Sequence, residues 1–455
     1  MARKNRQKYD KVRAAVVEAV GLIETDHCSS DAAIAEVSTG KDFSPLDMRF
    51  MRQLVNGTTK MKRRLDHDMR FYLSKPSEKL SHYLQNILRL GFYQLYFTER
   101  IPSAAAVSEA VDLARHFCDN SRARLVNAVL RSALRNPERV TFVDKNLDPV
   151  DHLANKYSYP NWFVQDCLDE FKFEATEALL KSMNEAPTMS FRVNYIKSNP
   201  KEIEDTLKGE GINYSPGVYL KEFYHLEEGA LPPHHQLITE GKIYIQDESA
   251  GMSVRLLNPK PETSVLDMAA APGGKALYAA SRMRNRGMIT AIDKSRQRLE
   301  MMVENIKRQG VTVINPVHAD NLEFKSKPFD RVILDAPCSG WGNAGKHSDL
   351  RWSKSPEDIE RLFKIQSMMI DRAAKLVKPG GILVYSTCTT LRKENDQVVE
   401  EFLVRRKDFE LESAEEYFDP EVVSERGFMK TYPEVNKLSG AFAARLKKKL
   451  VSKKK

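Results

Sequence analysis

The amino-acid sequence predicts an α/β protein in three parts: an all-α segment, a small α+β segment, and a doubly wound, mostly parallel sheet. Three observations predict it. Helical periodicity runs without a strand pattern through residues 10–136. The pattern turns mixed between about 161 and 235. From about 242 onward, short apolar strands alternate with helices, as βα units require. The 455 residues suffice for two to four domains at about 100–200 residues each.

In the first segment, Leu80, Leu84, Ile87, Leu88 and Leu95 recur at helical spacing between Pro76 and Pro102. A further helix runs through SRARLVNAVLRSALRN and stops at Pro137. Val126, Val129, Leu130 and Ala133 cluster on one side of it, and Arg124, Arg131 and Arg135 fall opposite. That arginine side is either a solvated face or an RNA-facing ridge. Residues 138–160 are polar and contain prolines, and read as a linker. Beyond them, PNWFVQDCLDEF and EATEALLKSMN read as helices, MSFRVNY as a strand and PKEIEDTLKGEGI as a helix.

The third segment supplies the strands KIYIQ, SVLDM, MITAID, TVINPVHAD, DRVILDA, GILVYST and AFAARL, with helices at about 275–284, 296–309, 356–377 and 394–406. The resulting division is 1–140 all-α, 141–238 linker and small α+β unit, 239–449 doubly wound domain, and a basic tail at 450–455. The last eleven residues, RLKKKLVSKKK, carry seven positive charges. They read as a solubilising tail or as a tether for a phosphate backbone.

Composition narrows the function. Charged residues make up 29% and hydrophobic residues 42%, which excludes wholesale disorder. No apolar stretch reaches the ~18 residues of a membrane span, and the basic start has no apolar signal core. The five cysteines are scattered and no C-x-x-C occurs, so a reducing cytoplasm is expected rather than a disulfide framework. The net charge of +9 favours an anionic partner such as nucleic acid. No metal is expected: there is no H-E-x-x-H, and His234-His235 has no cysteine or carboxylate at ligand spacing. Nothing calls for more than a monomer.

Three constellations carry chemistry. In Ser264-Val-Leu-Asp-Met-Ala-Ala-Ala-Pro-Gly-Gly-Lys275, a strand ends at Asp267 and a loop of small residues leads into a helix. Gly273 and Gly274 let a ligand approach the backbone. The next strand ends at Asp293, an acidic position that commonly accepts from ribose hydroxyls. The loop is not G-x-G-x-x-G, so a nucleoside without phosphates suits it better than a dinucleotide. In Phe329-Asp-Arg-Val-Ile-Leu-Asp-Ala-Pro-Cys-Ser-Gly-Trp-Gly342, a strand delivers Asp335 and Cys338 to the ligand-binding edge of the sheet. In Pro379-Gly-Gly-Ile-Leu-Val-Tyr-Ser-Thr-Cys-Thr389, another strand brings Cys388 to that edge.

Two thiols beside a nucleoside site suggest covalent chemistry, and at least one must become a thiolate. Thiolate addition to C6 of a pyrimidine turns C5 into an enamine carbon that can attack an electrophilic methyl. Asp335 is the candidate acid near N3. The target base must leave its stack to reach such a pocket. These residues alone leave open which thiol attacks.

The motifs SFRVN, YIQDES, VLDMAAAPGGK, ILDAPCSGWG, VYSTCTTLRKENDQVV and GAFAARL resemble the RNA 5-methylcytosine methyltransferases of the RsmB/NOP family, over about 161–449. NILRLGFYQLYF, IPSAAAVSEAVDLA and RLVNAVLR resemble the antitermination factor NusB. The resemblance implies a Rossmann-like methyltransferase domain behind an all-α NusB-like RNA-binding domain. It implies S-adenosylmethionine as donor, held by Ala269, Ala270, Ala271, Pro272, Gly273, Gly274 and Lys275. Asp293 would hold the ribose, Asp320 would lie near the adenine, and Asp335 between donor and cytosine. Cys388 would be the nucleophile and Cys338 would assist product release. Arg192 and Asn194 match a family R-x-N stretch and would touch RNA, as would Lys346. The implied substrate is small-subunit ribosomal RNA. Transfer RNA, another RNA, or an RNA-binding assembly factor without catalysis are the alternatives. The chain departs from the family pattern at Ala269, where a Cys is common, at Ala276, at QDESA for QDEAS, at Gly345-Lys346-His347 and at Ala441.

Overall fold

The computed structural model describes residues 9–186 and 188–450; most of the basic tail lies outside them. The chain divides into two compact units. The first holds the chain to Glu185 together with Ala344–Lys354, and the second holds the remainder.

The first unit is all helix, as its periodicity predicts. Its helices are α1 (Lys11–Thr25), α2 (Ser30–Ser38), α3 (Pro45–Lys60), α4 (Lys62–Met69), α5 (His82–Phe97), α6 (Ser103–Phe117), α7 (Asn120–Arg135), α8 (Pro149–Tyr157), α9 (Asn161–Glu170) and α10 (Phe173–Ser182). Local chemistry sets their starts. Ser44 and Asp47 form a reciprocal capping box on α3 with Pro45 in its first turn, and Asp119 caps α7. Val126, Val129, Leu130 and Ala133 of α7 are buried, while Arg124, Arg131 and Arg135 are exposed.

The stretch expected as a linker contains α8. Asp148 caps it, and Leu153 and Ala154 are fully buried. Arg63 of α4 clamps it by donating to Asn155 Oδ1, Asp151 Oδ1 and the Tyr159 carbonyl, at 2.8, 3.2 and 3.1 Å. The region 141–238, expected as one unit, is therefore divided: its helices to Glu185 lie in the first unit and the rest in the second.

The excursion Ala344–Lys354 is wired into the helical unit by polar contacts. Arg351 is fully buried against Tyr159, 3.9 Å from the ring centroid. It donates to the carbonyls of Tyr157, Ser158 and Met183. Trp352 donates to the Thr59 carbonyl at 2.7 Å, and Asp349 accepts from Ser30 N and Oγ.

The second unit carries two sheets. The smaller has β1 (Ser190–Val193), β2 (Tyr214–Pro216), β3 (Phe223–Leu226) and β4 (Ile243–Ile245), ordered β2-β3-β1-β4 and antiparallel throughout. KIYIQ was expected to open the large sheet. Instead it forms β4 and pairs with β1, with Ile243 buried in the small sheet's own core.

The larger sheet has β5 (Ser264–Met268), β6 (Met288–Asp293), β7 (Ile314–His318), β8 (Phe329–Asp335), β9 (Val377–Thr387), β10 (Phe409–Glu412), β11 (Met429–Thr431) and β12 (Ala441–Lys448). Its order is β10-β12-β9-β8-β5-β6-β7, with β11 beside β12. The run β9-β8-β5-β6-β7 is parallel, and β12 pairs antiparallel with β9. The helices are α11 (Pro200–Gly209), α12 (Gln236–Thr239), α13 (Glu248–Leu257), α14 (Gly274–Arg282), α15 (Arg296–Gln309), α16 (Pro356–Lys375), α17 (Asp396–Arg405) and α18 (Pro433–Asn436). Two apolar cores cover the sheet's faces, one around Leu277, Met302 and Val265, the other around Ile370, Phe402 and Leu266. From β5 the chain winds outward through β6 and β7, then returns to β8 on the other side of β5. The crevice at the carboxyl ends of β5 and β8 is therefore the topological switch point, where open α/β sheets bind ligands.

Candidate active site

The switch point is where the predicted residues gather. β5 ends in Asp267 and Met268, and the chain turns through Ala269 (φ 61°) and Gly273 (φ 106°) into α14. The turn is tight against its neighbours. A Cβ at Gly273 would stand 3.0 Å from Met302 Cγ, and one at Gly274 3.2 Å from Gln246 Nε2. Asp267 is fully buried, and neither carboxylate oxygen has a hydrogen-bond partner. Burial, with the charge of Asp335 added, pushes its pKa up to about 8. A buried acceptor with unmet capacity, beside a loop lined by backbone, fits a ligand bearing a cation or several donors.

Asp293 closes the next strand and is almost fully buried. Its Oδ2 accepts from Ala271 N at 3.1 Å and its Oδ1 from Ser295 N at 2.9 Å. It thus braces the donor loop, and each oxygen retains acceptor capacity. Arg298 reaches the same place, donating to the Ala271 carbonyl and lying 3.8 Å from Asp293. Asp320 is exposed, and its Oδ1 accepts from Leu322 N at 2.8 Å in a tight turn after β7.

Lys275, at the start of α14, lies at the centre. Its Nζ is 2.7 Å from Asp335 Oδ2, and Asp335 Oδ1 accepts from Ser386 Oγ at 3.1 Å. Burial disfavours the ammonium, but the charge of Asp335 outweighs it and the Lys275 pKa is raised. In the sequence, Lys275 stands out only as the last residue of the donor loop. Its central place, facing Asp335, Asp267 and Cys388, follows from strand order, which spacing along the chain does not reveal.

Cys338 and Cys388 meet from β8 and β9 with sulfurs 3.3 Å apart, and Cys388 N–H approaches Cys338 Sγ at 3.4 Å. Both are half-buried. The two thiols differ in acidity. Cys388 is held below the ordinary thiol range by the Cys338 hydrogen bond, with help from Lys275, against burial and the charges of Asp335 and Glu394. Cys338 is driven well above that range by the same hydrogen bond, by burial and by the neighbouring negative charges. Gly342 backs the Cys388 loop: its N–H donates to the Cys388 carbonyl at 3.0 Å, and any Cβ there would sit 1.9 Å from the Gly440 carbonyl oxygen.

The expectation that Arg192 and Asn194 touch RNA is corrected, because both are about 1% exposed. Arg192 lies between Tyr244 and Tyr278, 5.1 and 5.4 Å from their ring centroids, and donates to Gln246 Oε1 at 2.9 Å. It buttresses α14 from behind. Asn194 donates to the carbonyls of Gly241 and Gln309, tying the small sheet to the end of α15. Lys346 belongs to the excursion in the first unit and is half-buried.

Two buried carboxylates escaped the sequence reading. Glu248 accepts from Val218 N, Tyr219 N, Leu220 N and His225 Nε2, and so shapes the loop before β3. Glu394 accepts from Ser339 N and Oγ and from Gln366 Nε2. Each stands beside other polar residues, as capping residues do, and nothing in the sequence marks it as interior. Among the described residues, no group of three or more His, Cys, Asp or Glu is arranged to hold a metal ion, and no helix is long and apolar enough to cross a membrane.

A sheet of this order with a small-residue turn at its switch point defines a Rossmann-like methyltransferase domain. The crystal structure of PH0851 is similar, with a TM-score of 0.78 and 25% identity over 96% of this chain and 98% of that one. So is a methyltransferase homolog protein from Pyrococcus horikoshii, with a TM-score of 0.59 and 30% identity over 66% of this chain and 99% of that one. Residues 254–447 match the family model for the 16S rRNA methyltransferase RsmB/F. Residues 159–230 match the ferredoxin-like domain of RsmF/B-like methyltransferases, and residues 10–135 match the NusB family. A probable ribosomal RNA small subunit methyltransferase B of Bacillus subtilis is 34% identical over 97% of this chain and 100% of its own length. The chain belongs to the RsmB/F family, with a NusB-like N-terminal domain.

Proposed function

We propose that this protein methylates C5 of a cytosine in small-subunit ribosomal RNA, using S-adenosylmethionine and a covalent bond between Cys388 and C6 of the base. The observation that carries this reading is the pair of thiols 3.3 Å apart at the switch point, beside the Lys275–Asp335 ion pair. Family membership supports ribosomal RNA as the substrate.

The residues present fit the donor. Asp267 has unmet acceptor capacity, residues 269–275 offer close backbone approach, and Asp293 and Asp320 stand at the ends of the next two strands. When bound, S-adenosylmethionine supplies an electrophilic methyl group. The Cys388 thiolate adds to C6, forming the S–C bond and making C5 nucleophilic. As negative charge develops at N3, the Lys275–Asp335 pair, with Ser386 bonded to Asp335, passes a proton to it through the Asp335 carboxyl, and Lys275 offsets the charge on sulfur. After C5 has gained its methyl group, loss of the C5 proton to a base breaks the S–C6 bond and restores the thiolate. The Cys338 thiol, at hydrogen-bond distance, stabilises the departing sulfur and speeds that release. The NusB-like domain, with its exposed Arg124, Arg131 and Arg135, supports RNA binding, one chain carries every residue named, and a cytoplasmic location follows from this reading.

The test is methyl transfer from labelled S-adenosylmethionine to unmodified small-subunit ribosomal RNA. Wild type places label on cytosine C5, and Cys388→Ala places none. Cys338→Ala retains attack and accumulates a protein–RNA adduct that survives denaturing electrophoresis. Adduct with Cys388→Ala instead would reverse the two roles. Label on transfer RNA alone would replace the substrate, and donor binding without transfer to any RNA would favour an assembly factor.

A further inference from the structure

The two cysteine loops do not meet by chance packing. Glu394 lies on a short turn between β9 and α17 and is fully buried. Among the described residues no cation pairs with its carboxylate. Its Oε1 accepts from Ser339 N at 2.8 Å and from Gln366 Nε2 at 2.9 Å, and its Oε2 accepts from Ser339 Oγ. Ser339 follows Cys338 directly. Gln366, on α16, also donates to the Pro337 carbonyl at 2.9 Å, so the residues on both sides of Cys338 are held from one point. Ser339 Oγ is 3.0 Å from Thr389 Oγ1, the residue after Cys388. The neighbouring Asn395 donates to the Thr389 carbonyl at 2.8 Å and bonds Thr387 Oγ1 on the other side of Cys388. Tyr385 Oη donates to the Glu394 carbonyl at 2.6 Å, fixing the turn to β9.

We propose that Glu394 is a positioning residue for the cysteine pair, locking the Cys338 and Cys388 loops into one frame and presenting its negative charge to both sulfurs. This rests on the reading of the pair as the reactive centre. Cys388 faces Lys275 and Asp335 as well as Glu394 and Cys338, whereas Cys338 faces Glu394 and Cys388 without a cation. Glu394 thereby disfavours a charge on either sulfur, and Lys275 beside Cys388 leaves the thiolate there. A buried carboxylate without a counter-ion is disfavoured by burial, and its three donors are what retain it. Tyr385, whose pKa burial and Glu394 raise together, stays a neutral donor throughout.

The test uses the free full-length protein with neither RNA nor donor, so a wrong substrate or reaction leaves it unaffected. The rates of iodoacetamide alkylation at Cys388 and Cys338 are measured by peptide mass spectrometry from pH 5.5 to 9. In wild type Cys388 reacts first. Glu394→Gln keeps an acceptor for Ser339 N–H and removes the charge, so Cys388 ionises at lower pH and its alkylation at pH 6.5 rises about 3- to 10-fold. Glu394→Ala removes the frame, and the preference for Cys388 over Cys338 falls at least about tenfold. Ser339→Ala deletes only the hydroxyl bridging Glu394 and Thr389 and gives a smaller loss of preference, of about threefold, in a protein that folds. An unshifted profile in Glu394→Gln, or a wild-type preference in Ser339→Ala, overturns the proposal.

Discussion

Replacing Lys275 by Met tests the electrostatics of the site directly. The ammonium lies 2.7 Å from Asp335 Oδ2, with Lys275 14% exposed and Asp335 36% exposed. At an effective dielectric of about 20, two unit charges at that separation attract by about 6 kcal/mol before desolvation is subtracted. Breaking a buried pair typically costs about 3–5 kcal/mol. The partial exposure of Asp335 brings the expected loss of stability to about 2 kcal/mol. The larger consequence is chemical. Asp335, Asp267 and the Cys388 sulfur then lose the ammonium that faces them, and the Cys388 pKa should rise. The thiolate is the reactive form, so a raised pKa moves the acid limb of the rate profile to higher pH. Methyl transfer and Cys388 alkylation at pH 7 should fall about 10- to 100-fold, and most of the loss should be recovered above pH 9. Met keeps the length and apolar stem of Lys, so the helix start should survive. A Lys275→Met enzyme with a wild-type pH profile would refute the assignment of Lys275 as the counter-charge of the thiolate.

Asp267 gives a second pH dependence with the opposite origin. Burial holds its proton up to about pH 8 in the free protein, so a cationic ligand group must displace that proton below pH 8. Donor affinity, followed by calorimetry, should rise between pH 6 and 8 by up to about tenfold per unit, and Asp267→Asn should flatten the curve. Arg351→Ala leaves the buried carbonyls of Tyr157, Ser158 and Met183 without their donor and empties the space over Tyr159. Scanning calorimetry should report a loss of about 3–5 kcal/mol from the first unit.

Much of this architecture is legible in the sequence because it rests on one-dimensional signals. The helices of the NusB-like segment follow from apolar spacing, and the strand ends that bear Asp267, Asp293, Asp335, Cys338 and Cys388 follow from apolar runs closed by small residues. What the sequence does not carry is which strands pair. KIYIQ has the apolar content of a sheet-opening strand, and only its partner β1 assigns it to the small sheet. The short strands β10 and β11 lack an apolar run long enough to announce them. α8 was hidden for a related reason. Its buried face is Leu153, Ala154 and Asn155, too little apolar periodicity to distinguish a helix from a linker, and Arg63 supplies the rest of its anchorage by hydrogen bonds.

Arg192, expected at the RNA through its match to a family R-x-N stretch, and Glu394, which the sequence does not mark, both break one physical rule. A charged residue in a sequence is read as exposed, since burying an unpaired charge is unfavourable. Arg192 meets that cost in part: two tyrosine rings flank its guanidinium and Gln246 accepts from its Nε, while burial still lowers its pKa to about 10. Glu394 escapes it through three donors from Ser339 and Gln366. In both cases the buried charge stands directly behind a reactive loop: Arg192 behind the turn into α14, Glu394 behind the two thiols. A loop that must present backbone or sulfur to a ligand cannot also be packed from the ligand's side. The rigidity it needs has to come from behind, and hydrogen bonds to an ionised group supply direction that apolar packing does not. The residues that hold this site in shape are therefore charged, interior and silent in periodicity, while those that touch the ligand announce themselves through glycine, proline and cysteine.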